Sequence, residues 1–192
     1  MKELTTLLFV FMIFFNCMCA GTPVLVTDLD FSNLYMPVVS QEEQRRIIIE
    51  DYYVSLVPEE YKEFFRATCS TFNAPAEIVY GIIYHESRFD STAVNYNTNG
   101  SKDTGMGQLN STFLISYYVK KYWDKDEPFE VFNAEHNLYI AIKHIGFLNT
   151  IFDGSKSKII MAYHLGIRRV AQNRVPKHGF IYLNKVQKHI SA

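Results

Sequence analysis

Residues 82–110, IIYHESRFDSTAVNYNTNGSKDTGMGQLN, begin as a buried helix and end as a polar loop punctuated by glycines. The join falls at Glu86. Ile78, Ile82 and Glu86 are spaced by four residues and Ile83 lies three before Glu86, so the glutamate extends an apolar helical stripe into the helix's last turn. A carboxylate there is costly unless it is paired, hydrogen-bonded or used. Partial desolvation and the negative end of the helix dipole both disfavour its charged form, which is what a general acid working near neutral pH requires. Pairing with Arg88, or bonding to backbone amides, is the plain structural alternative, and the stripe alone does not separate the two readings.

Working outward, the pattern is helical nearly throughout. Ser40 and Glu43 have capping-box spacing ahead of RRIIIEDYYVSLV, Pro58 opens a helix through EEYKEFFRATCSTF, and Pro75 opens the helix that carries Glu86. Residues 90–105, rich in Asn, Ser, Thr, Asp and Gly, read as a long polar loop or small hairpin. Helices resume near 111–122. Asn133 caps a long one that Gly154 ends, SKIIMAYHL stops at Gly166, and FIYLNKVQKHI is the last. With no internal repeat, the expected fold is mostly α: a single helical domain over 40–192 with a small hairpin region at its cleft.

The chain's 192 residues, 48% hydrophobic and 15% aromatic, suffice for one sizeable core. Basic and acidic side chains number 19 and 20, the formal net charge is -1 and no like charges run together, which speaks against a nucleic-acid partner. Residues 1–20, with the apolar run LLFVFMIFF before NCMCAG, are expected to be a cleaved secretory signal, and 21–39 a linker or arm. An uncleaved anchor or a lipidated cysteine are the alternatives to cleavage. Removal of the signal takes Cys17 and Cys19 with it, leaving Cys69, which is read as a small buried hydrophobe.

Metal chemistry is not expected. His85-Glu86 lacks a second histidine four residues on, where Phe89 stands, so the zinc-protease pattern fails; His136 and His144, eight apart, are read as ordinary helix histidines.

The segments HESRFDSTAVN, TGMGQLN, FNAEHN, MAYHLG and YLNKV follow in that order, and together they resemble the soluble lytic transglycosylase family, whose catalytic domain is goose-lysozyme-like. The resemblance spans about residues 58–190. It implies an α+β lysozyme-like fold and an exported enzyme of the bacterial periplasm or envelope. Its substrate would be peptidoglycan glycan strands, cleaved between N-acetylmuramic acid and N-acetylglucosamine with closure of a 1,6-anhydro ring. The enzyme would be monomeric, need no cofactor, and leave room for an envelope-machinery partner. By the same resemblance Glu86 is the catalytic acid/base and Ser87 helps hold it and the substrate. Gly105, Met106, Gln108 and Asn110 lie along the glycan, Tyr163 belongs to the Ala-Tyr-Asn segment, and the hydroxyl of Tyr182 faces the catalytic carboxyl.

Departures from the family pattern fall at Gly107, which stands for the usual Met and would remove an apolar wall of the cleft, and at His164 and Leu165, which replace Asn-Ala. Tyr96, in the polar loop, is read as a stacking platform for a sugar ring, whereas Trp123 is read as core. Two other outcomes stay open: a hydrolase using Asp103 or Asp90 to activate water, and a binding module without activity.

Overall fold

The computed structural model describes residues 39–123 and 125–190. The expected signal, its two cysteines and all of the 21–39 arm except Val39 lie outside the described residues. The helix α1 spans Gln41–Ser55, and Ser40 caps it by accepting the Glu43 amide at 3.1 Å, as the capping-box spacing predicts. A single 3-10 turn, Glu59–Tyr61, leads into α2, Lys62–Thr71. Pro75 then precedes α3, Ala76–Glu86, which carries the site.

The polar stretch after α3 folds into a three-stranded antiparallel sheet of β1 (Val94–Tyr96), β2 (Lys102–Thr104) and β3 (Leu109–Asn110), in that spatial order. Val94 faces Thr104 and Tyr96 faces Lys102 across the hairpin, and Asp103 faces Asn110 across the second pair. Residues Ser111–Val119 are helical as expected but wound as a π-helix, running into one α-helical turn at Lys120–Tyr122. Then come α4 (Ala134–Ile151), α5 (Lys156–Leu165), the short α6 (Ile167–Ala171) and α7 (Lys177–Ile190). Asn133 caps α4 by accepting the amides of Glu135 and His136, and Gly166, at φ 82°, ends α5.

The core explains the order. Ile78, Val79, Ile82 and Ile83 of α3 are fully buried, as are Leu138, Ile140, Ile142 and Ile145 of α4. Each such side chain contributes about 2 kcal/mol through the apolar area it removes from water. α3 packs chiefly on α7 and α1, while α5 packs on both α7 and α4, so the glutamate helix lies at the centre of the bundle. Tyr53 of α1 donates to the Ile190 carbonyl and ties the ends of α1 and α7 together. Cys69 is buried and its thiol is pushed up by burial, in keeping with the packing role read from the sequence. Trp123 likewise packs edge-on against Phe129 and Tyr139. Among the described residues no helix is long and apolar enough to cross a membrane.

Candidate active site

Glu86 is the last residue of α3, and the chain leaves the helix abruptly after it. Ser87 caps the helix, and Arg88 and Phe89 both take left-handed backbone conformations, at φ 56° and 65°. Non-glycine residues rarely do this, and the cost is offset here by burial of Phe89 against Tyr80. The result is a carboxylate presented at a helix end, directly beside the loop that forms the opposite wall.

Its partner is Tyr182 of α7, whose hydroxyl donates to Glu86 Oε1 at 2.5 Å. Arg88, exposed, makes no ion pair with it. Desolvation pushes the Glu86 carboxyl up to about 7, the nearby charge of Asp103 adds to the rise, and the Tyr182 hydrogen bond opposes it. Burial and the adjacent glutamate hold the Tyr182 phenol well above its ordinary value, so it stays a proton donor in the hydrogen bond. The Tyr182 ring is itself fixed on both sides: His164 stacks on it at 4.4 Å and 9°, and His85 meets it edge-on at 5.2 Å.

Glu86 opens into a cleft of about 760 Å³. One wall is polar sheet and loop, with Asn97, Ser101, Asp103, Gln108 and Asn110; the other comes from α5 to α7, with Tyr163, His164, Arg169 and His178. Asp103 accepts from Asn97 Nδ2 at 2.9 Å and, through its other oxygen, from Asn110 Nδ2 at 2.7 Å. Asn110 Oδ1 in turn accepts the Thr112 and Phe113 amides, which fixes the start of the π-helix. Gln108, at φ 47°, donates to the carbonyls of Gly105 and Ala93 and so braces the loop that lies along the cleft.

Several residues expected at the glycan do other work. Met106 is fully buried in the core; what it offers the site is its carbonyl, which accepts the Ser87 hydroxyl at 2.7 Å. Ser87 therefore spends its proton joining the end of α3 to the loop. Gly105, at φ 74°, is required by the packing of the loop as well, since a Cβ there would sit 2.1 Å from Asn137 Nδ2. Gly107 lies in a tightly packed position. A Cβ on it would meet Ala141 Cβ at 2.7 Å and the Tyr163 hydroxyl at 3.0 Å, and that hydroxyl donates to the Gly107 carbonyl at 2.6 Å. Tyr96 stays 72% exposed on the outer strand, beneath Lys102 Nζ, and lies outside the cleft lining. Asp90, also exposed, accepts the Thr92 amide and hydroxyl in a turn and does not line the cleft.

Sequence reasoning missed four contributors. Asn137, the last residue of the FNAEHN segment, is buried and accepts the Gly107 amide while donating to the Thr104 and Val131 carbonyls, so one side chain clamps the loop to α4. His144, considered only as a metal ligand, lines the cleft floor with its pKa pushed down to about 4 by burial. Arg169 and His178 also face the cleft, and no local pattern marks them. Among the described residues no cluster of His, Cys, Asp or Glu could hold a metal ion.

The family model described as Transglycosylase SLT domain matches residues 63–180, which contain Glu86, the sheet, the π-helix and the cleft-lining parts of α4 to α6. No curated protein is matched by the chain. A helical bundle with a small antiparallel sheet, a partly buried glutamate at a helix end and a family match over most of the chain converge: the protein belongs to the transglycosylase SLT domain family, a family of peptidoglycan lytic transglycosylases.

Proposed function

We propose that this protein cleaves the β-1,4 bond between N-acetylmuramic acid and N-acetylglucosamine in peptidoglycan, with Glu86 as its only general acid/base. The observation that carries this reading is the Glu86 carboxyl, raised to about 7 in a cleft large enough for several sugar rings and oriented by Tyr182. Protonated Glu86 gives its proton to the glycosidic oxygen as the bond to the anomeric carbon breaks. The acetamido carbonyl of the muramic residue stabilises the positive charge left on that carbon, in the substrate-assisted manner. The Glu86 carboxylate then takes the proton of the muramic 6-hydroxyl, whose oxygen bonds to the anomeric carbon and closes the 1,6-anhydro ring. Glu86 ends the cycle protonated, and no water is consumed.

A hydrolase would need a second carboxylate free to activate water. Asp103 is the candidate in the cleft, but both its oxygens are engaged by the amides of Asn97 and Asn110. That favours a charged buttress over a base. A binding module without activity would not require a carboxyl with a raised pKa. Export to the envelope by residues 1–20 and action as a monomer complete the reading.

The test is mass spectrometry of borohydride-reduced muropeptides released from purified peptidoglycan by the full chain, beside Glu86→Gln. Non-reducible anhydro ends, absent with the variant, support the proposal. Reducible ends would make the protein a hydrolase, and no release by either would leave a binding module.

A further inference from the structure

The two walls of the cleft differ in charge. On the sheet wall the carboxylate of Asp103 is held by amides, and at the helix end Glu86 carries its hydrogen bond from Tyr182. On the opposite wall Arg169 of α6 lines the cleft together with His164 of α5 and His178 of α7, whose rings meet edge-on at 5.8 Å. Among the described residues Arg169 forms no ion pair. A guanidinium facing a cleft without a carboxylate partner is a ready site for a planar anion, which it can grip with two parallel N–H donors. The stacking of His164 on Tyr182 fixes the neighbouring imidazole in the same wall.

The sugar rings of a glycan strand are uncharged. Its anions are carboxylates on the substituent of the muramic 3-oxygen: the lactyl carboxylate of a strand stripped of peptide, or the carboxylates of a stem peptide. We propose that Arg169, with His164 and His178 beside it, forms a subsite for such a muramic-linked carboxylate and selects the register in which a strand lies against Glu86. The inference rests on the glycan-strand reading above.

Binding separates the two. Soluble glycan strands are titrated into the full-length Glu86→Gln protein, which cannot turn them over, and into the same protein carrying Arg169→Ala, Arg169→Lys or His178→Gln. Each is repeated with strands whose carboxylates have been converted to methylamides. The expected result is a five- to tenfold weaker Kd with Arg169→Ala, a smaller loss with Arg169→Lys, and no difference among the proteins on amidated strands. Stripped strands and peptide-bearing strands, run side by side, assign the carboxylate to the lactyl group or the stem. Equal Kd values for all variants on both strand types, or a loss that persists on amidated strands, overturns the subsite. Release of anhydro ends by the unaltered protein is scored separately: their absence sinks the transglycosylase reading, and an unchanged Kd sinks the subsite.

Discussion

Glu86 and Asp103 line one cleft, yet the first ends a helix packed in the apolar core and the second sits in a short strand among amides. Glu86 has a single phenolic donor and a desolvated setting, so its proton is held tightly. Asp103 has an amide for each oxygen. The same functional group thus meets a desolvated setting with one phenolic donor on one wall and a pair of amide donors on the other. The two are coupled, because the charge of Asp103 helps to raise Glu86.

The largest expected effect removes one side of that comparison. Glu86→Gln keeps the shape and an acceptor for Tyr182 but has no proton to give. It should cut kcat by about 10²–10⁴-fold while the folded protein's circular dichroism stays unchanged. Retention of more than a tenth of the activity would move the acid elsewhere.

The neighbours sharpen the comparison through their opposite signs. Activity that needs protonated Glu86 falls as pH rises through the region near 7. Tyr182→Phe deletes the hydrogen bond that lowers the Glu86 pKa, so the alkaline limb of the kcat profile should move up in pH, with about a tenfold loss of rate from the lost positioning. Asp103→Asn deletes the charge that raises it, so the limb should move down. Shifts in the same direction for both variants would show that the coupling is misassigned.

Stability carries the same signature. A carboxyl whose pKa rises from an ordinary 4.5 to about 7 on folding binds its proton more tightly in the folded state, so the protein gains stability below pH 4.5 and loses it as pH climbs towards 7. Glu86→Gln removes that dependence and should be more stable than the parent by about 2–3 kcal/mol at pH 8, with the difference vanishing near pH 4. Urea unfolding at both pH values measures it. The smallest effect probes the loop: Gly107→Ala forces a methyl against Ala141 and the Tyr163 hydroxyl, and should cost about 1–3 kcal/mol in the same assay.

Much of the fold was legible in the chain. Ser40, Asn133, Pro75 and Gly166 mark helix boundaries through their own backbone chemistry, and each acts where the sequence places it. The polar stretch 90–105 was readable as a loop or small hairpin, although the third strand at Leu109–Asn110 and the winding of residues 111–119 as a π-helix were not. The site was legible only in part. Glu86 could be read from the apolar stripe beneath it, and Tyr182 and Gln108 from ordered motifs. Met106 and Tyr96 were expected at the glycan, yet the Met106 side chain is buried in the core and Tyr96 lies outside the cleft lining, because position along the chain does not say which way a side chain points.

By itself the sequence determined that there would be a helical core, where its helices start and stop, and that a carboxylate would be placed on an apolar stripe. These are local properties, set by periodicity, capping and turn chemistry within a few residues. Only the tertiary structure decided that Asn137 would clamp the loop and that Arg169 would face the cleft. The partner of a polar group is chosen by how distant helices cross, and nothing in its immediate neighbours encodes that crossing.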